Sequence, residues 1–120
     1  MAPVEDIFNE AIELLSMVKN DYQAFLEQFG NFEDIPGFSN YQVSDLGFIK
    51  NKKTFRLHYP RIMKDGHEHV MMADDFGKRK WVPVRFLVAR RFVYNEHVLN
   101  EVDHVDGDRS NNEANNLIWV

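Results

Sequence analysis

Asp103-His104-Val105-Asp106-Gly107-Asp108-Arg109-Ser110-Asn111-Asn112, followed after two residues by Asn115-Asn116-Leu117-Ile118-Trp119-Val120, is the stretch on which the fold turns. Val98 to His104 has the composition of a strand, and Leu117 to Val120 that of a second one. Between them lies a polar loop of Asp, Asn, Gly and Ser. Asp103 and His104 are a chemically useful pair. A carboxylate holds a hard divalent cation, and an imidazole takes a proton from water near neutral pH. Adjacent side chains of a strand point to opposite faces, so a bulge or a strand end is needed to bring both to one site. Asp106, Asp108 and Ser110 are spaced like the first three ligands of a calcium-binding helix-loop-helix loop. That loop also needs a glycine and a late glutamate, and Asn111 and Leu117 stand in their places, which excludes the reading. The histidines His58, His67, His69, His97 and His104 contain no His-x-x-x-His pair, so structural or surface roles are favoured over a histidine metal cluster.

Upstream of this stretch, Arg85 to Phe92 predicts a short helix with Leu87, Val88 and Phe92 inward and Arg90 and Arg91 outward. Residues 31–83 predict short strands separated by turns. The turn clusters are Ser44-Asp45-Leu46-Gly47, Asn51-Lys52-Lys53-Thr54, Lys64-Asp65-Gly66-His67 and Asp74-Asp75-Phe76-Gly77. Tyr41–Val43, Phe48–Lys50, His69–Met72 and Trp81–Val84 are the strand candidates, enough for a small antiparallel sheet. Residues 5–29 predict a helix. Its apolar positions, among them Ile7, Phe8, Ala11, Leu15, Val18, Tyr22, Phe25 and Phe29, fall three or four apart on one stripe. Gly30 suits its C-terminal cap, and Asn20-Asp21 is a point where it can break in two. The stripe is expected to pack on its own domain; the alternative is an oligomer or a partner contact through residues 5–29.

The 120 residues carry a net charge of −5, unevenly spread. Residues 1–34 hold eight acids and one lysine, residues 50–91 twelve basic residues and four acids, and residues 92–120 six acids and one arginine. The acidic total argues against indiscriminate binding to nucleic acid, while the basic middle forms a candidate cationic face. With no cysteine, disulfides and thiol catalysis are excluded, and a reducing compartment fits. No apolar run approaches a membrane span, so a membrane partner is not expected.

The residues also resemble a known family. Asn31-Phe32-Glu33-Asp34-Ile35-Pro36-Gly37-Phe38-Ser39-Asn40-Tyr41-Gln42-Val43-Ser44-Asp45-Leu46-Gly47 is similar to the N-terminal motif of many phage and intron-encoded HNH homing endonucleases. There the pattern runs aromatic, Ile-Pro-Gly-aromatic, then Tyr-x-Val-Ser-Asn-x-Gly. Phe86-Leu87-Val88-Ala89-Arg90-Arg91-Phe92 resembles the helix before the family's catalytic motif, and the stretch from Asp103 to Val120 resembles that motif itself. The resemblance covers residues 31–120. It departs at Arg85, where the family often has His, and at Phe32, where the family prefers Trp.

The resemblance implies an α+β fold: an N-terminal helical extension (1–30), a small β-rich motif of DNA-binding type (31–83) and a ββα-metal, or HNH, motif (84–120). It implies metal-dependent hydrolysis of DNA phosphodiesters with a single Mg or Mn ion. Asp103 would be a metal ligand, His104 the general base, and Asn116 the middle Asn that braces the loop and orients the His. Lys50, Lys52, Lys53, Arg56, Lys78, Arg79, Lys80, Arg90 and Arg91 would follow DNA phosphates. In the family a helix after the second strand supplies the last metal ligand. This sequence ends at Val120, where that helix would begin, so the expected motif is incomplete. Two readings follow: a DNA nickase working in the cytoplasm of a phage-infected host cell, and a decayed scaffold whose acidic surfaces bind a host protein, as a phage-encoded inhibitor would.

Overall fold

The computed structural model describes residues 4–120, with side chains from Asp6 onward. The chain divides into two compact units, residues 1–30 and 31–120.

The described part of the first unit is one α-helix, α1 (Val4–Phe29). It runs without a break through Asn20-Asp21, because both residues sit where the i→i−4 ladder continues on either side. Gly30 ends it: its φ of 84° closes the last turn, and its N–H donates to the Leu26 carbonyl at 2.8 Å. Contrary to the expectation of a buried stripe, Ile7, Phe8, Leu15, Val18 and Tyr22 are exposed, Leu15 to 70%. Phe25 and Phe29 pack on each other, with ring centroids 5.1 Å apart. No helix is long and apolar enough to cross a membrane among the described residues.

The second unit is built of three antiparallel sheets around one helix. Strands β1 (Phe32–Asp34), β2 (Tyr41–Ser44), β3 (Ile49–Asn51) and β4 (Leu57–His58) form the first sheet in sequence order. Strands β5 (Arg61–Ile62), β6 (Glu68–Ala73) and β7 (Arg79–Pro83) form the second. Strands β8 (Val102–His104) and β9 (Leu117–Trp119) form the third, with His104 opposite Leu117 and Asp103 opposite Ile118. The fold is therefore α+β, as the sequence implies. Strands β1, β4 and β5 have two or three residues each and went unmarked in the sequence pattern, since their pairing comes from neighbours rather than from their own composition.

Helix α2 (Val84–Phe92) lies at the centre. Pro83 leads into it with extended geometry, and Val84, Leu87, Val88 and Ala89 are buried. The helix packs on β2, β6, β7, β8 and β9. Ile35, Tyr41, Val43, Ile49, Val70 and Met72 from the first two sheets and Val102 and Leu117 from the third complete a single core. Residues 31–83 and 84–120 thus share one interior, and each sheet buries its apolar face on the same helix. Trp119 ties β9 to the end of α2: its indole N–H donates to the Val93 carbonyl at 3.0 Å.

One predicted strand is shorter than its composition suggests. Of residues 98–104, only 102–104 are strand. Val98 has a φ of 51°, a costly conformation for a β-branched residue. Asn95 holds the bend, accepting from Leu99 N at 2.9 Å and donating to Leu99 O at 2.8 Å.

Candidate active site around His104

Strand β8 has the burial pattern of a half-exposed strand, so Asp103 and His104 leave it on opposite faces. His104 is buried, at 5% exposure. The Asp103 side chain is exposed and turns back to accept the backbone N–H of His104 at 2.8 Å. The regular strand therefore does not bring the two side chains to one face: the carboxylate stands on the solvent side and the imidazole inward.

Asn112 makes the polar contact to the buried ring. Its Oδ1 lies 2.8 Å from His104 Nε2. With the amide oxygen facing it, Nε2 is the donor of this pair, which in a neutral ring leaves Nδ1 as the acceptor. The His67 ring stacks on the His104 ring, with centroids 5.6 Å apart and planes at 25°. Neither Asn112 nor His67 was marked as functional in the sequence, because their contact with His104 depends on how the loop closes.

The loop between β8 and β9 closes through its own side chains. Asn116, buried at 8% exposure, is the clasp. Its Oδ1 accepts Asp106 N at 3.1 Å. Its Nδ2 donates to Asp106 Oδ1 and to Asn111 O, both at 2.9 Å. Its carbonyl accepts Val105 N at 2.9 Å. Asp106 Oδ2 accepts Asn111 Nδ2 at 2.9 Å, and Asp108 Oδ1 accepts Ser110 Oγ at 2.6 Å. These bonds hold the Asp106 and Asp108 carboxyls below the usual carboxylate range, Asp106 chiefly through Asn111 and Asn116 and Asp108 chiefly through Ser110.

Two turns from the other sheets dock on this loop. In the first, Asp45 O accepts Ala114 N at 2.7 Å. A Cβ at Gly47 would stand 3.2 Å from the Asn112 carbonyl oxygen, and Gly47 has a φ of +92°, so the close approach needs glycine. In the second, Arg109 Nη1 donates to Asp65 O at 2.7 Å and lies where a Cβ on Gly66 would intrude. Asn112 is thereby fixed from behind.

Charge around the ring is mixed. Burial, then the nearby Arg85 guanidinium, holds the His67 imidazole below its ordinary value. Burial pushes the Glu68 carboxyl up, helped by Asp108. No group of three or more His, Cys, Asp or Glu side chains gathers as a metal cage among the described residues. Asp103 offers one exposed carboxylate. A hard cation such as Mg²⁺ commonly takes one or two carboxylates, keeps several waters and uses substrate phosphate oxygens, so Asp103 is a fitting partial ligand.

The basic residues lie on turns and helix ends. Lys50 on β3 stands over the Phe32 ring, 4.4 Å from its centroid. Lys52, Lys53 and Arg56 surround the turn after β3, and Lys78, Arg79 and Lys80 belong to the β6–β7 hairpin. Arg90 and Arg91 occupy the last turn of α2. Three cations are already paired: Lys52 with Asp34 at 3.2 Å, Lys80 with Asp74 at 3.1 Å and Arg91 with Glu33 at 3.1 Å. Lys53, Arg56, Lys78 and Arg79 are exposed.

With this geometry in view, the sequence and fold relationships converge. Residues 31–71 match the NUMOD4 motif. The chain is a relative of the HNH homing endonucleases in both sequence and fold. It is 37% identical over 92 residues to the DNA endonuclease I-HmuI of Bacillus phage SP01, covering 74% of this chain and 51% of that protein. A solved structure of I-HmuI, described as DNA binding and cleavage by an HNH homing endonuclease, superposes with a TM-score of 0.66, over 75% of this chain and 52% of that one. An uncharacterized HNH endonuclease of Acanthamoeba polyphaga mimivirus is 35% identical over 83 residues, covering 69% of this chain and 24% of the relative. The chain thus spans about half or less of the length of these curated relatives.

Proposed function

We propose that the protein is a metal-dependent DNA endonuclease of the HNH type that nicks phosphodiester bonds, with His104 as the general base. The observation that carries this reading is the His104–Asn112 pair at 2.8 Å, which leaves Nδ1 as the proton-accepting atom of a fixed ring. The likeness to I-HmuI supports DNA as the substrate.

In this reading Nδ1 of His104 takes the proton of the attacking water. Asn112 holds the ring and bears the hydrogen bond that strengthens as the ring becomes cationic. Asn116 acts through the loop, keeping residues 105–116 in the shape that puts Asn112 on His104. Asp103 is a ligand of a single Mg or Mn ion, which when bound stabilises charge on the leaving oxygen and the phosphate. Lys53, Arg56, Lys78 and Arg79 make the first phosphate contacts, because among the described residues they give up no ion pair to do so. Lys50, Lys52, Lys80, Arg90 and Arg91 join them, three of these after exchanging a carboxylate for a phosphate. The setting is the cytoplasm of a phage-infected cell.

The test is a nicking assay on supercoiled plasmid with Mg²⁺ or Mn²⁺, with chelator, and with His104→Ala. Metal-dependent nicking that the variant lacks is expected. Equal nicking by a folded His104→Ala overturns the assignment.

A second reading rests on α1. Its exposed Ile7, Phe8, Leu15, Val18 and Tyr22 are a surface for a second copy or a host protein. A protein that folds, never nicks and is captured through residues 5–29 would be a binding scaffold instead.

A further inference from the structure

Among the described residues, four buried side-chain nitrogens have no hydrogen-bond partner: His67 Nδ1, Arg85 Nε and Nη1, and Asn112 Nδ2. Such groups are rare in folded proteins, and each one left unpaired is costly. Here all four belong to three residues, and two of these touch His104 directly. Asn112 accepts from its Nε2, and His67 stacks on its ring. Arg85 belongs to the same neighbourhood. It sits in the first turn of α2, two residues after Pro83, which pairs with His69 on the strand that follows His67. Its charge is felt at His67.

The orphaned atoms share one chemistry. The guanidinium N–H groups and the amide N–H only donate, and the imidazole nitrogen donates when it carries the hydrogen. Buried donors without an acceptor suit an anionic oxygen, and Arg85, whose guanidinium stands over the Phe86 ring at 4.7 Å, presents a fork in the geometry that suits phosphate. Of the surrounding carboxylates, Asp106 and Asp108 are turned into their own loop, while Asp65 and Glu101 act on Arg85 through their charge and Glu68 on His104. Asp65 Oδ1 accepts the His67 backbone N–H at 2.9 Å.

We infer that Arg85, His67 and Asn112 form an oxyanion clamp beside His104 that takes a non-bridging oxygen of a nucleic-acid phosphodiester. This rests on the proposed nuclease reading and deepens it. Asn112 then serves two partners, with Oδ1 on the base and Nδ2 on the phosphate, so one side chain sets the distance between them. Arg85 is also the position at which the sequence departs from the histidine common in its family, so the clamp would be this chain's own solution.

The experiment titrates the full-length protein with inorganic phosphate in chelator and follows the His67 and His104 imidazole resonances and the Asn112 side-chain amide by NMR. A short DNA duplex is then added as competitor. Saturable shifts are expected, with affinity at least about tenfold weaker in Arg85→Gln, the loss of one charged hydrogen bond. Asn112→Asp keeps an oxygen for His104 Nε2 but replaces the donor with a charge, so it should lose phosphate binding altogether. The duplex should displace the phosphate. Absence of saturable shifts in the wild type overturns the clamp, as does wild-type affinity in a folded Arg85→Gln or Asn112→Asp. Should Arg85→Gln fail to fold, Asn112→Asp decides. Phosphate binding that DNA does not displace would assign the site to free phosphate and overturn the diester. Since the titration reads no cleavage, a nicking protein without phosphate binding fails the clamp alone, and a phosphate-binding protein that never nicks fails the nuclease reading alone.

Discussion

The β8–β9 loop and the basic hairpins differ in how they are held. In the loop, Asn116, Asp106, Asn111 and Asp108 bond to one another and to the backbone, and turns from two other sheets brace it from behind. On the turns and hairpins, Lys53, Arg56, Lys78 and Arg79 reach into solvent, and Lys52 and Lys80, like Arg91 at the end of α2, sit in ion pairs that open to solvent on the cation's side. The difference fits the task that the proposed function gives to each set. A proton acceptor must be in place before the substrate arrives, whereas phosphate contacts are many, interchangeable and free to adjust.

The sharpest way to break the comparison is His104→Ala. Loss of a general base should lower nicking by roughly a hundred- to ten-thousandfold with the fold intact, and circular dichroism beside the plasmid assay checks both. Next comes Asn116→Ala. It strands the Asp106 N–H and the Val105–Asn111 segment, so denaturant unfolding should show a loss of about 1–3 kcal/mol and nicking should fall with it. A stable, fully active variant would say that the loop needs no clasp. Asp103→Asn should raise the metal concentration needed for half-maximal nicking while leaving unfolding unchanged, because Asp103 is exposed; an unmoved Mg²⁺ curve would remove it as a ligand.

Smaller effects belong to the hairpins. Lys53→Gln and Arg79→Gln should each weaken DNA binding and lower the salt slope by about 0.9 per lost phosphate contact. Lys52→Gln and Lys80→Gln should do less, since those two cations must leave Asp34 and Asp74 before they reach a phosphate. Equal losses across the four would erase the distinction between paired and unpaired cations. The smallest effect is pH-dependent. His67, facing Arg85, Arg109, His104 and Asp65, is held below its ordinary value of 6.5, so the unfolded chain binds its proton first as pH falls. Stability from this group is complete above that value and declines as pH drops towards the lowered folded one. His67→Gln should flatten that part of a pH–unfolding curve.

Much of the fold was legible because its turns are chemically loud. Ser44-Asp45-Leu46-Gly47 and Asp74-Asp75-Phe76-Gly77 turn where Asp and Gly demand it, and α2 follows its buried Leu87 and Val88. Val98 was misread because composition favours a strand where Asn95 imposes a bend. The exposed stripe of α1 escaped for a related reason: helical spacing states which residues share a face and not what covers it. At the site, Asp103 and His104 stood out by type as a neighbouring pair, and Asn116 only through the family resemblance. Asn112, His67 and Arg85 did not, since what joins them is a loop closure that no local pattern encodes.

If the loop fixes the His104 ring through Asn112, the neutral ring carries its hydrogen on Nε2 and its lone pair on Nδ1. The ring nitrogen shifts of the His104 imidazole, at a pH where the ring is neutral, read this tautomer directly. The wild type should show the Nε2–H form and Asn112→Ala a mixture of the two. A wild-type ring with its hydrogen on Nδ1 would overturn the role given to Asn112.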